Sequence, residues 1–278
     1  MAKPILAIMY DFDKTLSTTD MQNYAFIPRL ELTPDEFWGK TGEFSSKEGV
    51  ERILSYMYVM ISEAKKKGIK ITKEFLRECG KDIKFYPGVL TWFKRIDDFG
   101  IDNGVQVEHY LVSSGTKEIV EGCAIYKYFK KVYGCEYLYD ENGEAIWPKT
   151  AINYTQKTQF YFRIHKGAID ETNDEEINKK LTKNRVPYSN MVYIGDGLTD
   201  VAAMTLVKQN GGFSIAVYPP NETGDKQKIL YEDERVRAVT KADYSQDSQL
   251  EKIIKLLIRQ ASIDSEIRNK EEKLAPKN

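Results

Sequence analysis

The chain has 278 residues, 41% hydrophobic and 30% charged, which is enough for a full core and a second small domain. Its 41 basic and 42 acidic residues nearly cancel, so it lacks the basic excess typical of nucleic-acid-binding proteins. No apolar run approaches the ~20 residues that a membrane span needs. We therefore expect neither a nucleic acid nor a membrane as a partner.

The first residues, Met1 to Pro4, lead straight into an apolar run without the charged, apolar and small-residue pattern of a secretory signal peptide. The three cysteines, Cys79, Cys123 and Cys135, have neither metal-binding nor disulfide spacing. These features favour a reducing cytoplasm, where thiols stay unpaired. No segment has the pattern of an interface, and we expect a monomer or a weak homo-oligomer.

The apolar run Ile5 to Tyr10 predicts a buried strand, because central strands of parallel sheets are almost continuously hydrophobic. Asp11 and Asp13 follow it directly, and Thr15 comes two residues later. A strand that ends in Asp-x-Asp directs carboxylates towards the carboxyl edge of its sheet. In open α/β folds that edge is where ligands bind.

Helical patterns fill residues 18–84. Thr33 followed by Pro34 and Glu36 predicts a capped helix start, and an apolar stripe from Val50 to Ala64 predicts a second helix. A third, short helix is predicted from Thr72 to Gly80. We therefore predict a helical cap domain over residues 18–84 and a core domain over 1–17 and 85–278. Several cap side chains are candidates to face the site but are expected at the surface or in cap packing: Asp20, Tyr24, Arg29, Trp38, Lys40, Arg52, Tyr56 and Tyr58.

Strands and helices alternate after the turn at Phe85 to Gly88. The predicted elements are a helix from Val89, strands at Val107–Val112, Met191–Ile194, Phe213–Tyr218 and Val236–Val239, a hairpin formed by Val132–Tyr139 and Glu144–Trp147, and a final helix through Leu250 and Leu257. This alternation predicts an α/β fold with a doubly wound parallel sheet. We expect a surface loop over Asp170–Arg185 and a frayed or loosely helical tail from Ser262.

Three further motifs lie where strands end or helices begin. They are Ser113-Ser114-Gly115, Lys157, and the segment from Gly195 to Asp200 that contains Asp196. If their strands are neighbours in one sheet, up to four carboxylates meet, which is unstable unless a cation joins them. Oxygen ligands favour Mg²⁺, which commonly bridges carboxylates to a phosphate. Lysine, hydroxyl and backbone donors suit phosphoryl oxygens, so the set indicates phosphoryl chemistry.

This ordered set of motifs resembles the haloacid dehalogenase superfamily in its phosphatase branch. It is similar to phosphoserine phosphatase-like members in the motif spacing and in the insert between the first two motifs, where that family has its C1 cap. The resemblance covers about residues 1–17 and 85–245. It implies the doubly wound, Rossmann-like core of that superfamily with a small helical cap.

The resemblance also implies roles. Asp11 is the expected nucleophile, which forms an aspartyl-phosphate. Asp13 is the expected general acid and base, and its backbone carbonyl would bind Mg²⁺. Thr15 would support the loop. The implied binding residues are Ser113, Ser114 and Lys157 for phosphate, and Asp11, Asp13, Asp196 and Asp200 for the metal. Lys166 is an alternative to Lys157 as the phosphate-binding lysine. We prefer Lys157 because a short polar segment precedes it and a helical pattern of apolar residues lies nearby.

The expected function is Mg²⁺-dependent hydrolysis of a small phosphomonoester, with a small phosphorylated metabolite as the partner. An acid at position 13 disfavours a dehalogenase, and Leu16 after Thr15 disfavours a P-type ATPase. Two alternatives stay open. One is a phosphotransferase or phosphomutase with the same intermediate, which product analysis would reveal. The other is an inactive metal-binding interaction module, which an assay with an aryl phosphate would separate from an enzyme.

Overall fold

The computed structural model describes residues 3–181, 184–197 and 199–274, so Leu198 of the last motif lies outside it. A seven-stranded sheet in the order β4-β3-β2-β1-β5-β6-β7 forms the centre of the molecule. Its strands are β1 (Ile5–Tyr10), β2 (Gln106–Thr116), β3 (Lys131–Tyr139), β4 (Ala145–Thr150), β5 (Met191–Gly195), β6 (Phe213–Tyr218) and β7 (Ala238–Lys241).

All neighbouring strands are parallel except β3 and β4, which form the predicted antiparallel hairpin. Gly143 gives that hairpin's turn its positive φ of 74°. The central strand β1 is buried along almost its whole length and pairs with β2 on one side and β5 on the other. The α/β fold with a mostly parallel sheet, predicted from the alternation of elements, is confirmed.

Eleven α-helices occur in the part of the chain that the structure describes. They are α1 (Phe26–Arg29), α2 (Pro34–Glu48), α3 (Arg52–Lys66), α4 (Lys73–Gly80), α5 (Val89–Asp102), α6 (Lys117–Glu121), α7 (Lys157–Lys166), α8 (Asp174–Asn178), α9 (Val201–Gln209), α10 (Asp225–Glu232) and α11 (Gln249–Leu274). The helix starts at Thr33 and Thr72 are confirmed. Thr33 and Glu36 form a complete capping box, and Thr72 accepts a hydrogen bond from the Phe75 N–H.

The residues 18–84, here called the helical segment, leave and rejoin the sheet at one junction. Ser17 and Phe85 form an antiparallel bridge, and the Thr18 N–H donates to the Lys84 carbonyl at 3.0 Å. The Tyr24 hydroxyl also donates to that carbonyl at 3.0 Å, so this side chain braces the junction. Division of the chain into a core and a cap domain at these boundaries stays a prediction.

Some elements differ from the sequence-based expectation. Strand β2 continues past Val112 to Thr116, and the register of its pairing with β3 shifts over this stretch. The last strand is Ala238–Lys241 rather than Val236–Val239, and α1 and α10 were not predicted. The predicted loop Asp170–Arg185 contains α8.

The tail beyond Ser262 was expected to be frayed or loosely helical but continues α11 to Leu274. Asp264 and Arg268 are four residues apart, as are Glu266 and Lys270, and opposite charges at that spacing support a helix. None of the helices in the described residues is both long and apolar enough to cross a membrane.

Candidate active site

Asp11 and Asp13 lie in a tight turn at the carboxyl end of β1. The Asp11 N–H donates to the Ile194 carbonyl at 2.9 Å, which ties this turn to β5. The Phe12 carbonyl accepts from the Leu16 N–H at 2.9 Å, and Lys14 adopts a positive φ of 57°. The chain therefore reverses directly after the second aspartate, and both carboxylates stay at the sheet edge.

Lys157, the first residue of α7, joins β1 to the loop after β5. Its Nζ donates to Asp11 Oδ1 at 2.8 Å, to Asp200 Oδ1 at 2.7 Å and to Thr199 Oγ1 at 3.1 Å. The lysine is 1% exposed and Asp200 is fully buried. Burial alone lowers the pKa of Lys157, but the carboxylates of Asp11 and Asp200 raise it well above its ordinary value. The lysine is therefore held as a cation between two acids.

Three acids of the described residues form a cluster. One carboxylate oxygen from each of Asp11, Asp196 and Asp200 lies within 4.8 Å of the other two. Asp200 Oδ1 accepts hydrogen bonds from Lys157 and from the Tyr193 hydroxyl, the latter at 2.7 Å. Asp200 Oδ2 is buried and has no hydrogen-bond partner in the described part of the chain. An orphaned carboxylate oxygen beside two other carboxylates fits a hard divalent cation.

Gly195 is required for this arrangement. A Cβ at that position would lie 2.4 Å from Asp200 Oδ2, closer than any side chain can approach. The glycine therefore allows the carboxylate to reach the end of β5.

The two aspartates that follow β1 have raised pKa values. Burial raises the pKa of Asp11 to about 8, with a further contribution from Asp200, while the Lys157 ammonium opposes both. Burial, helped by the nearby Asp20 and Asp11 carboxylates, holds the pKa of Asp13 well above its ordinary value. Asp13 Oδ1 accepts a hydrogen bond from the Met21 N–H at 2.8 Å, so the helical segment fixes its orientation.

The two serines of β2 have different surroundings. Ser113 is 1% exposed, and its hydroxyl accepts a hydrogen bond from the Gly115 N–H at 2.9 Å. Ser114 lines the cavity above the aspartates, and its buried hydroxyl has no hydrogen-bond partner within the described residues. Geometry therefore presents Ser114, with Gly115, to a ligand, whereas Ser113, also implied as a phosphate-binding residue, does not line the cavity.

Lys166 lies at the opposite end of α7 from Lys157. Its ammonium donates to the backbone carbonyls of Ile177 and Lys179, the latter at 3.2 Å. It thereby anchors the segment around α8 and makes no contact with Asp11.

A cavity of about 490 Å³ lies between the sheet edge and the helical segment. The sheet side and its loops contribute Asp11, Asp13, Ser114, Gly115, Asp196 and Thr199. The helical segment contributes Gln22, Trp38, Thr41, Gly42, Ile53 and Tyr56. Lys14 and Tyr154 complete the lining, together with Asp20 and Arg52.

Several other side chains considered in the helical segment make contacts of their own. Asp20 lines the cavity but is paired with Lys14 at 2.9 Å. Arg29 lies over the ring of Phe75, and Lys40 pairs with Glu63 at 3.5 Å. Tyr58 is exposed and stacks on Phe44.

Two residues that contact the buried charged groups of the site were not identified as candidates from the sequence. Thr199 stands inside a motif that was already singled out, so its contact with Lys157 could have been anticipated. Tyr193 stands in the buried run of β5, where a tyrosine gives no signal that its hydroxyl reaches Asp200.

No known family profile matches this chain. A curated relative from Borreliella burgdorferi, described as an uncharacterized protein, is 27% identical over 273 residues, or 88% of this chain and 94% of that protein. This relative gives no functional description to compare.

Several solved structures have a similar fold. A substrate-bound phosphoserine phosphatase complex matches 92% of this chain and 98% of its own with a TM-score of 0.56 and 16% identity. A HAD family hydrolase from Salmonella enterica serovar Typhi matches 85% of this chain and 67% of its own with a TM-score of 0.56 and 14% identity. A probable phosphoserine phosphatase from Vibrio cholerae matches over 94% of this chain and 68% of the Vibrio chain, with a TM-score of 0.57 and 10% identity.

At these identities the likeness establishes the fold. The chain has the fold of these hydrolase and phosphoserine phosphatase structures, which is the fold that the resemblance of its four motifs implies. The roles of the individual site residues stay predictions.

Proposed function

We propose that this protein is a Mg²⁺-dependent phosphatase that hydrolyses a small phosphomonoester through an aspartyl-phosphate on Asp11. The observation that carries the proposal is the position of the Lys157 ammonium, 2.8 Å from Asp11, which lines the cavity, and 2.7 Å from the buried Asp200. A cation fixed beside a carboxylate nucleophile and two further acids suits a transferring phosphoryl group.

Asp11 attacks phosphorus, and the bond from phosphorus to the alcohol oxygen of the substrate breaks. The Lys157 ammonium and the Ser114 hydroxyl are the donors for the phosphoryl oxygens. Ser113 supports them, since its hydroxyl holds the Gly115 N–H. Water then attacks phosphorus, releases phosphate and restores the Asp11 carboxylate, so one difficult displacement becomes two easier ones.

Asp13 protonates the departing alcohol oxygen and then takes a proton from the attacking water. Its pKa lies well above the ordinary value because of burial and the neighbouring acids, and this shift favours the protonated form that a general acid needs. The hydrogen bond from the Met21 N–H holds this carboxyl towards the cavity.

Asp11, Asp196 and Asp200 would hold Mg²⁺, with the backbone carbonyl of Asp13. When bound, Mg²⁺ supplies positive charge that keeps Asp11 ionised and neutralises the phosphoryl oxygens. The orphaned Asp200 Oδ2 supports this assignment.

The helical segment is proposed to act as a cap that excludes water and contacts the leaving group. Support comes from its share of the cavity lining and from the single junction at Ser17 and Phe85. The cytoplasm is the proposed location, and Cys79, Cys123 and Cys135 are buried as unpaired thiols.

The test is phosphate release from an aryl phosphate, with Mg²⁺ and with a chelator. We expect turnover only with Mg²⁺, and we expect Asp11→Asn to lower kcat by at least about a thousandfold, because it removes the covalent route. Asp98→Asn, at an exposed position on α5, is the matched control and should keep native kcat. Near-native turnover by Asp11→Asn, or phosphate release that ignores the chelator, would contradict the proposal.

A further inference from the structure

The roof of the cavity is formed by one face of α2 and one face of α3. Trp38, Thr41 and Gly42 lie three and four residues apart, a spacing that places them on the same side of α2. Ile53 and Tyr56 face them from α3. This roof is the part of the cavity that a leaving group meets, because Asp11, Asp13 and Asp196 line the opposite side.

The Trp38 indole is held in a fixed orientation. Its Nε1–H donates to Asn23 Oδ1 at 2.9 Å, and its ring meets Tyr56 edge to face, with centroids 6.1 Å apart. Phe37 packs against it in the same way at 5.1 Å. The polar atom of the indole is therefore already satisfied, and the half-buried ring offers the cavity an apolar surface.

Gly42 leaves the space beside that ring empty. A Cβ at Gly42 would meet nothing within 4 Å. A glycine inside a helix destabilises it by about 1 kcal/mol relative to alanine, so packing gives no reason for one here. Gly39 of the same helix also has open space around it but does not line the cavity.

Two buried polar atoms in the lining lack partners in the described part of the chain. One is Oε1 of Gln22, a residue that is 2% exposed, and the other is Oγ of Ser114. A buried polar group without a hydrogen bond costs about 1–3 kcal/mol, which a polar ligand would remove. The Ser114 hydroxyl is already proposed as a donor to the phosphoryl group, so Gln22 Oε1 is the independent sign that a ligand larger than phosphate enters below the roof.

We propose that the leaving group is an alcohol that carries a flat aromatic or heteroaromatic ring, seated against Trp38 and over Gly42. This inference rests on the proposed phosphatase function. The cavity volume of about 490 Å³ lies within the range of about 300–1,000 Å³ found for small-molecule pockets, so it has room for a ring beside the phosphoryl group. A short aliphatic alcohol would leave the Trp38 ring and the space beside Gly42 in contact with water.

The test compares benzyl with ethyl compounds, whose leaving alcohols have similar acidity but differ in the ring. Binding of benzylphosphonate and ethylphosphonate with Mg²⁺ is measured by calorimetry, and kcat/KM is measured for benzyl phosphate and ethyl phosphate. The phosphonates cannot be hydrolysed, so their binding reports on the ring site whether or not turnover occurs. We expect benzylphosphonate to bind at least tenfold more tightly than ethylphosphonate, because its ring adds an aromatic contact and buries apolar surface.

The variants Gly42→Leu and Trp38→Leu identify the site. Gly42→Leu should fill the space and reduce the benzyl-to-ethyl preference about tenfold, without a folding penalty, since leucine is the better helix former. Trp38→Leu should reduce the preference about fivefold through loss of the aromatic contact. Gly39→Leu is the matched control on the same helix and should change neither the preference nor turnover.

The outcomes separate the two claims. If the wild type hydrolyses both esters with equal kcat/KM and binds both phosphonates equally, the ring site is overturned and the phosphatase proposal stands. If neither ester is hydrolysed but benzylphosphonate binds preferentially and Gly42→Leu removes that preference, the ring site stands and the phosphatase proposal fails. A preference that Gly42→Leu and Trp38→Leu leave intact would also overturn the proposed position of the ring.

Discussion

At the scale of single residues, the site is organised by a chain of hydrogen bonds through buried charges. The Tyr193 hydroxyl and the Lys157 ammonium both donate to Asp200 Oδ1, and Lys157 also reaches Asp11. Two donors on one oxygen fix the rotation of the Asp200 carboxyl and leave Oδ2 without a hydrogen-bond partner in the described residues. Tyr193 is therefore a positioning residue for the proposed metal ligand.

Tyr193→Phe should weaken Mg²⁺ binding by about tenfold, since removal of an outer hydrogen bond to a metal ligand commonly has that effect. The measurement is the rise in Tm with increasing Mg²⁺ concentration, which needs no substrate. Tyr161→Phe is the matched control, because Tyr161 is a buried tyrosine of α7 whose hydroxyl has no partner within the described residues. Equal Mg²⁺ dependence in both variants would show that Tyr193 does not position Asp200.

The sequence predicted the acids of the site but could not choose between its two serines. Asp11, Asp13 and Asp196 come directly after strands, where hydrophobic runs stop. Side chains of a strand alternate between faces, so one residue decides whether a serine points into the cavity. Ser114 and not Ser113 lines the cavity, and it lies where the register of β2 with β3 shifts between Val112 and Thr116, a shift that no local pattern reveals.

At the scale of elements, α2 is the helix on which the proposed ring site depends. It carries Trp38 and Gly42, and its two glycines weaken it, so its caps matter. Thr33 and Glu36 close the first turn with a capping box, and Gly49 ends the helix in a left-handed conformation with a φ of 67°.

Thr33→Ala should lower the free energy of unfolding by about 1 kcal/mol, because it removes the side-chain acceptor for the Glu36 N–H. Urea unfolding measures this loss. Thr33→Ser keeps the hydroxyl and should restore most of the stability. A loss as large in Thr33→Ser as in Thr33→Ala would mean that the cap does not stabilise α2.

Elements with strong local signals could be predicted, and those held by distant contacts could not. The apolar run of β1 and the caps of α2 and α4 carry their own signals. In contrast, α1 is a single turn without an N-cap hydrogen bond, and α10 follows Gly224 without one. The position of Trp38 in the roof is equally a tertiary property, because its ring orientation depends on Asn23 and Tyr56.

At the scale of the whole molecule, the strand order gathers the motifs. Strand β1 lies between β2 and β5, so Asp11, Ser114 and Asp196 meet at one edge, although more than eighty residues separate each from the next. A second polar network, around Glu108 of β2, lies outside this site. Arg185 donates to Glu108 Oε2 at 2.7 Å, and Tyr110 and Lys130 donate to the same carboxylate.

This network joins the end of the segment Asp170–Arg185, predicted as a surface loop, to the central sheet. Although burial raises the pKa of Glu108, the hydrogen bonds from Arg185, Lys130 and Tyr110 lower it from 4.5 to about 2. The native state therefore binds fewer protons than the unfolded chain between these two pH values, and stability rises with pH there.

Glu108 should therefore contribute stability that is complete above about pH 5 and lost as the pH falls towards 2. We expect about 2 kcal/mol, less than the full pKa shift implies, because the cationic partners are partly exposed. Urea unfolding of Glu108→Gln from pH 3 to 7 should show a weaker pH dependence than the wild type. Glu141→Gln, at an exposed hairpin position, should keep the wild-type dependence, and an unchanged dependence in Glu108→Gln would exclude this contribution.

The most direct test is to trap the phosphoryl group on the enzyme. Asp13→Asn should slow hydrolysis by about 10²–10⁴-fold, because the general acid and base is lost, and should let the intermediate accumulate. Acid quenching during turnover of an aryl phosphate with Mg²⁺, followed by peptide mass spectrometry, locates the phosphoryl group. We expect the peptide that contains Asp11 to gain the mass of one phosphoryl group, and Asp11→Asn to abolish it. A phosphoryl group on another residue, or undiminished turnover by Asp11→Asn, would contradict a mechanism through Asp11.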